Sequence, residues 1–101
     1  MNVLFICNQN QNRSKTAEEL FKTKFNVKSA GLFNEHPVSE KEIVWADLIC
    51  VMTDEQRTEI ANRFPEQYMK KQIISLDIPD LYHYYQPELV ELLNKRIDEL
   101  F

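Results

Sequence analysis

The sequence has 101 residues, 44% of them hydrophobic, so we expect residues 1–101 to form a single domain with a modest core. The net charge is −4 and no cluster of Lys and Arg occurs, which argues against a nucleic-acid-binding surface. No apolar stretch is long enough for a membrane span, no signal-peptide pattern is present, and two cysteines without paired spacing fit a reducing cytoplasm.

The first predicted elements are a strand, a polar loop and a helix. Residues 3–6 form a continuous apolar run, typical of a strand that is buried on both faces. Cys7 and five polar residues follow, and from Ser14 to about residue 24 the apolar residues recur at helical spacing. Ser14 is predicted to be the N-cap of this helix. A loop at a helix N-terminus is where α/β folds bind anions, because its N–H groups point to one spot.

Cys7 and Arg13 stand at the two ends of this loop and have side chains suited to one phosphate group. Helix N-termini and nearby cations favour the thiolate form of cysteine. The planar guanidinium of arginine matches two phosphate oxygens. A nucleophile facing an oxyanion clamp suits phosphoryl transfer to sulfur. The alternative is a buried structural cysteine beside a solvated arginine. In the functional interpretation, the loop N–H groups also bind phosphate, and the loop residues are Asn8, Gln9, Asn10, Gln11 and Asn12.

The rest of the chain alternates strands and helices. Apolar runs predict strands near residues 26–30, 48–52 and 72–76. Capping-box patterns predict a short helix that begins after Ser39 and a longer one over residues 54–63, and Pro87 suits the first residue of the last helix. These patterns predict a three-layer α/β fold, with a four-stranded parallel sheet of order near 2-1-3-4 and helices on both faces. Ligands bind such sheets at the carboxyl ends of the strands, which is where Cys7 lies.

The loop over residues 77–86 follows the fourth strand and should reach the same edge of the sheet. Phosphoryl transfer needs an acid for the leaving oxygen and later a base for water, and one carboxyl group can serve as both in turn. Asp77 and Asp80 are the candidates, although both could instead be turn formers. Three tyrosines follow, Tyr82 first, and one or two could stack on an aromatic leaving group. The alternative is that these rings pack against the domain with wet hydroxyls.

Four motifs in order resemble the low-molecular-weight protein tyrosine phosphatases. The first is Cys7-x5-Arg13-Ser14 directly after an N-terminal strand. Residues 29–31 (Ser-Ala-Gly), 47–52 and 78–82 (Ile-Pro-Asp-Leu-Tyr) resemble the family's Ser-Ala-Gly, third strand and general-acid loop. The resemblance spans nearly the whole chain. The chain is shorter than ordinary members of this family and is identified as a divergent member.

The resemblance assigns roles to individual residues. It implies that Cys7 is the nucleophile, that Arg13 binds phosphate, and that Asp80 is the general acid. It further implies that Ser14 donates a hydrogen bond to the thiolate, and that Tyr82 is the tyrosine of the general-acid loop, where we expect it to contact the substrate. Three positions depart from the family pattern: the usual loop glycine is Gln9, the second loop cysteine is Asn12, and the proline after the acid is Leu81.

The sequence therefore predicts a cytoplasmic, monomeric phosphate monoester hydrolase of the protein-tyrosine-phosphatase type. It would work through a cysteinyl-phosphate intermediate on its phosphate-binding loop (P-loop), without a metal or other cofactor. Its substrate would be a phosphorylated protein or a small phosphate ester, with inorganic phosphate as product or inhibitor, and with no nucleic-acid or membrane partner.

Three alternatives stay open at this point. The first is a non-catalytic module that binds phosphate or a phosphopeptide on the same fold. The second is an arsenate reductase, which usually needs additional cysteines, whereas only Cys50 is available and its predicted place is the core. The third is the cysteine-phosphorylated component of a sugar phosphotransferase system, a function that would not require Arg13.

Overall fold

One parallel sheet forms the centre of the protein in the computed structural model, which describes residues 1–101. Its strands are β1 (Asn2–Cys7), β2 (Asn26–Gly31), β3 (Leu48–Val51) and β4 (Gln72–Ser75). The helices are α1 (Arg13–Phe21), α2 (Glu40–Trp45), α3 (Asp54–Arg63), α4 (Pro65–Lys70) and α5 (Pro87–Leu100). The four strands lie in the order β2-β1-β3-β4, and all pairs are parallel. The predicted fold class and strand order are therefore confirmed.

The two central strands, β1 and β3, are buried on both faces. Alternate side chains of a strand point to opposite faces, so Phe5 and Cys50 pack with α1 and α5, whereas Leu4 and Ile49 pack with α2 and α3. Phe5 and Leu4 are both 0% exposed. Fully burying a side chain of this size contributes about 1.5–3 kcal/mol. A central strand that is buried from Val3 onward therefore ends at Cys7 and fixes the position of that residue.

The start of α1 and the segment after α3 differ from the prediction. The N-cap of α1 is Asn12, not Ser14, and the helix ends at Phe21 rather than near residue 24. Ser14 lies inside the first turn because its hydroxyl bonds Cys7 and Asn10 instead of capping the helix. The prediction that α3 ends before Pro65 is confirmed, but Pro65 then begins the unpredicted helix α4, where its fixed φ suits the first position.

None of the five helices combines the length and the apolar character that crossing a membrane requires.

Candidate active site

The loop between β1 and α1 turns back onto the sulfur of Cys7. Asn10 has a φ of 55°, in the left-handed region, and its N–H donates to Cys7 Sγ at 3.2 Å. Asparagine adopts this backbone conformation more readily than most residues with a side chain. Gln9, which replaces the family glycine, has no positive φ, so Asn10 takes the left-handed position of the loop.

Ser14 connects the sulfur to the loop. Its Oγ lies 2.9 Å from Cys7 Sγ and donates to Asn10 Oδ1 at 2.7 Å, and the side chain is fully buried. A hydroxyl has one proton to donate. While Ser14 donates to Asn10, the Cys7 thiol can donate to Ser14, and a rotation of the hydroxyl turns the same proton toward a thiolate. The arrangement can therefore stabilise both forms of the sulfur.

Arg13 is buried beside the loop, with 3% of its surface exposed. Its Nη1 donates to the carbonyl of Ile78 at 2.8 Å, and its Nε lies 3.8 Å from Asp80 Oδ1. A cavity of about 70 Å³ lies between the guanidinium and the sulfur, and its lining residues are Cys7, Gln9, Gln11, Asn12, Arg13 and Asp80. We call it the inner cavity. It brings together the predicted nucleophile, the predicted phosphate-binding arginine and the predicted acid.

A larger cavity of about 340 Å³ opens beside the inner one and shares Arg13 and Asp80 with it. We call it the outer cavity. Its other lining residues are Asn8, Phe33, Thr53, Glu55, Gln56 and Glu59. A group attached to an anion in the inner cavity would have room here.

The two candidate acids lie in different places. Asp80 lines both cavities, and its side chain is 66% exposed. Asp77 has a φ of 55° and lines a separate cavity with Arg96 and Leu100. An ion pair as exposed as that of Asp80 contributes only about 0–1 kcal/mol, so its carboxylate is free to leave Arg13. The structure thus places Asp80, and not Asp77, beside Cys7.

Tyr82 does not line either cavity beside Cys7. Its ring packs against the core next to Leu92 and lines a cavity on α5 with Glu88. Tyr84 and Tyr85 pair with each other, with ring centroids 5.7 Å apart, and also stay outside both cavities. The aromatic ring that lines the outer cavity is Phe33, which is 55% exposed and which the sequence reasoning did not select.

Gln56 is the second residue that the sequence reasoning missed. It is 2% exposed, and its Oε1 accepts the N–H groups of Met52 and Thr53 at 2.7 and 3.2 Å. Its Nε2 donates to Asn8 Oδ1 at 3.0 Å. The capping-box pattern did identify this glutamine, but only as part of a helix start.

The end of β2 holds the loop from its other side. Cys7 pairs with Gly31 in the sheet, and a side chain at Gly31 would meet Asn8 O at 2.9 Å and Asn34 Oδ1 at 2.6 Å. Asn8 O accepts the N–H groups of Leu32 and Phe33 at 3.0 and 2.9 Å. Gly31, the only glycine of the chain, therefore serves close backbone approach and not a positive φ.

The second cysteine is not available for chemistry. Cys50 is fully buried in β3, and this burial raises the pKa of its thiol to about 12. The thiolate is the reactive form, so Cys50 is unreactive at neutral pH.

This difference predicts selective alkylation. Iodoacetamide at pH 7–8 should modify Cys7 and leave Cys50 intact until the protein unfolds, because the Cys50 thiol stays protonated until the pH approaches its raised pKa. Intact-mass spectrometry counts the adducts, and inorganic phosphate should slow the reaction by covering Cys7. The Cys7→Ser variant is the control and should take up no label. Rapid labelling of Cys50 in the folded protein would contradict the prediction.

No group of three or more His, Cys, Asp or Glu side chains is arranged to hold a metal ion.

The fold and the loop geometry define an α/β protein with an anion-sized cavity at the end of its first strand. No protein-family model and no curated protein matches the chain. Solved structures do match. A low molecular weight protein tyrosine phosphatase from Bacillus subtilis is 26% identical, with a TM-score of 0.74 and 98% of each chain covered. The YwlE arginine phosphatase from Geobacillus stearothermophilus is 22% identical, with a TM-score of 0.74 over 98% of this chain and 92% of that one.

A third match is a YwlE arginine phosphatase, a C7S mutant with phosphorylated active site serine. It is 24% identical, with a TM-score of 0.77 over 99% of this chain and 95% of that one. The resemblance to the low-molecular-weight protein tyrosine phosphatases is therefore confirmed over nearly the whole chain, and the protein has their fold. Its structural neighbours include both tyrosine and arginine phosphatases.

Proposed function

We propose that this protein is a phosphatase of the protein-tyrosine-phosphatase type that hydrolyses phosphate monoesters through a cysteinyl-phosphate intermediate. One observation carries the proposal: Cys7 and Arg13 line one cavity of about 70 Å³ at the carboxyl end of β1. Ser14 and the Asn10 N–H contact the same sulfur. The phosphorylated active site serine named for a YwlE mutant supports transfer to a residue rather than directly to water.

In the first step, the Cys7 thiolate attacks phosphorus and forms the S–P bond while the ester P–O bond breaks. Asp80, protonated in this step, gives its proton to the leaving oxygen. Arg13 and the loop N–H groups other than that of Asn10, which donates to Cys7 Sγ, hold the three equatorial oxygens, where charge is concentrated during transfer.

In the second step, Asp80 takes a proton from water, and the water oxygen attacks phosphorus. The S–P bond breaks, and inorganic phosphate forms. Cys7 leaves as a thiolate, and the Ser14 hydroxyl turns its proton toward the sulfur and eases this departure. No step of this scheme requires a metal. The substrates we propose are phosphorylated proteins or small phosphate esters, and the two free cysteines support a reducing, cytoplasmic location.

The direct test is hydrolysis of an aryl phosphate with inorganic phosphate as a competitive inhibitor. Turnover that phosphate inhibits supports a phosphatase, whereas tight phosphate binding without any turnover would support a non-catalytic binding module. An arsenate reductase would need a second reactive cysteine, and the burial and raised pKa of Cys50 do not favour that function.

Substitution of the acid gives a matched comparison within one loop. Asp80→Asn should lower kcat on phenyl phosphate by about 10²–10⁴-fold, because the leaving oxygen then departs without a proton. Asp77→Asn makes the same chemical change outside the site and should keep most of the activity. Steady-state kinetics give kcat of both variants across pH. In the Asp80 variant, the fall of kcat that results from deprotonation of the general acid should also disappear. Equal losses in the two variants, or a loss only in the Asp77 variant, would overturn the assignment of Asp80.

A further inference from the structure

Two side-chain amides that the mechanism does not use connect α3 to the phosphate-binding loop. Gln56 is 2% exposed and bonds Met52 and Thr53 through Oε1 and Asn8 through Nε2. Backbone N–H groups can only donate, so the Gln56 atom that faces Met52 and Thr53 must be the oxygen. The orientation of the Gln56 amide is therefore fixed, and its NH₂ group faces Asn8.

The orientation of the Asn8 amide follows from that of Gln56. Asn8 Oδ1 accepts from Gln56 Nε2 at 3.0 Å, which leaves Asn8 Nδ2 on the opposite side. No hydrogen bond from Nδ2 to the protein is formed, and Nδ2 is not among the buried polar atoms without a partner, so solvent reaches it. The Asn8 carbonyl is held by the N–H groups of Leu32 and Phe33. The free donor thus has a fixed position as well as a fixed direction.

The position of this donor is outside the phosphate subsite. Asn8 lines the outer cavity of about 340 Å³ and is not among the residues that line the inner cavity with Cys7. A phosphoryl group on Cys7 occupies the inner cavity, so what meets Asn8 is the substrate beyond the phosphoryl group. The outer cavity also presents the exposed ring of Phe33. An occupant that matches both features carries apolar surface and hydrogen-bond acceptors, as a peptide segment does with its side chains and main-chain carbonyls.

We propose that Asn8 is a specificity residue for polypeptide substrates, whose side-chain NH₂ donates to a main-chain carbonyl next to the phosphorylated residue. Gln56 is a positioning residue that sets the direction of this donor. The proposal rests on the phosphatase function proposed above and assigns the preference for phosphorylated polypeptides over small esters to the Asn8 side chain.

The test reverses the direction of the Asn8 amide. In Gln56→Glu one carboxylate oxygen still accepts from Met52 and Thr53, but the other cannot donate to Asn8. Asn8 must then turn its NH₂ toward Glu and present its oxygen to the outer cavity. The ratio of kcat/KM for a phosphotyrosyl peptide to kcat/KM for phenyl phosphate should fall about tenfold. The peptide loses its hydrogen bond from the Asn8 NH₂, and its carbonyl oxygen then faces the Asn8 oxygen, which is also an acceptor. Phenyl phosphate is the reference because it carries no acceptor beyond its phosphoryl group.

Two further variants separate direction from charge and from damage to the fold. Gln72→Glu adds the same charge at the exposed start of β4 and should leave the ratio unchanged. Asn8→Ala should lower the ratio on its own, and Gln56→Glu should then lower it no further, because no amide remains to be turned. If Gln56→Glu does not fold, Asn8→Ala alone decides, since an unchanged ratio in that variant also rejects the proposal.

The outcomes distinguish this proposal from the proposed function. Wild-type protein that hydrolyses neither substrate would reject the phosphatase function itself. Wild-type protein that hydrolyses both, with equal losses on the two substrates in Gln56→Glu, would reject only the role of Asn8. The same loss from Gln56→Glu with and without Asn8 would also reject that role, because the effect would then be one of charge.

Discussion

Cys7→Ser is expected to abolish hydrolysis of aryl phosphates, with kcat reduced by about 10⁴-fold or more, as for the removal of other covalent nucleophiles. A serine hydroxyl is not ionised at neutral pH, so its attack on phosphorus is slow, and a serine phosphate releases its alkoxide far less readily than a cysteinyl phosphate releases its thiolate. The rest of the site stays in place, because Arg13 is held by Ile78 and the loop is held by its contacts to Gln56 and to the end of β2. Phosphate binding should therefore survive when turnover does not.

The measurement pairs kinetics with ligand-induced stabilisation. Inorganic phosphate at about 100 times its dissociation constant should stabilise both the variant and the wild type by about 2.7 kcal/mol. Cys50→Ala is the matched control, since it removes the other sulfur from the core of β3 and should keep the activity of each folded molecule. Substantial turnover by Cys7→Ser would contradict the cysteinyl-phosphate mechanism, and loss of phosphate binding in that variant would place the anion elsewhere.

Arg13→Lys is expected to lower kcat/KM for aryl phosphates by about 10²–10³-fold, the usual result of removing a donor to the transition-state oxygens. Lysine keeps the positive charge but lacks the planar set of donors. Its three donors are all on one nitrogen, so they cannot reproduce a guanidinium whose Nη1 bonds the Ile78 carbonyl at 2.8 Å while its other nitrogens are free to bind phosphate oxygens. The substitution should also lower the free energy of unfolding by about 1–3 kcal/mol, because a buried carbonyl loses its partner.

Arg96→Lys provides the control for this second effect. Arg96 Nε donates to the carbonyl of Leu76 at 2.8 Å, so its substitution removes a similar bond to the same segment, but away from Cys7. Urea unfolding should show a loss of stability in both variants, and only the Arg13 variant should lose activity at temperatures where both are folded. Full activity in Arg13→Lys would show that charge alone suffices and that the guanidinium geometry does not matter.

The sequence was most informative where local pattern and tertiary environment agree. The apolar run that becomes β1 predicts a central strand because a parallel sheet covered on both faces tolerates few polar residues there. Once β1 is placed, Cys7 must lie at its carboxyl end, and Arg13 follows at the start of the next helix. The neighbourhood of Cys7, Arg13 and Ser14 could therefore be predicted from chain order.

The remaining features depend on contacts between distant parts of the chain. Gln56 meets Asn8 across 48 residues, and no local pattern indicates that a helix-capping glutamine lines the outer cavity and bonds the loop there. The choice between Asp77 and Asp80 depends on the left-handed backbone conformation of Asp77, with a φ of 55°, which the sequence does not show. The ring of Tyr82 lies against α5 and not at the cavities beside Cys7, because apolar residues of the core cover it there. In the same way, Ser14 is not the N-cap of α1, because its hydroxyl bonds the buried sulfur of Cys7 and the side chain of Asn10.

The bond between Arg13 and the Ile78 carbonyl has a mechanical consequence for the acid. This bond fixes the carbonyl of Ile78. Only Pro79, whose ring restricts φ to about −65°, lies between Ile78 and Asp80. Two residues of chain span at most about 7 Å, so the carboxyl group can travel only a short arc around the guanidinium. We therefore expect Asp80 to deliver its proton through a change of its side-chain rotamer while its backbone stays in place. No large loop needs to close over the substrate.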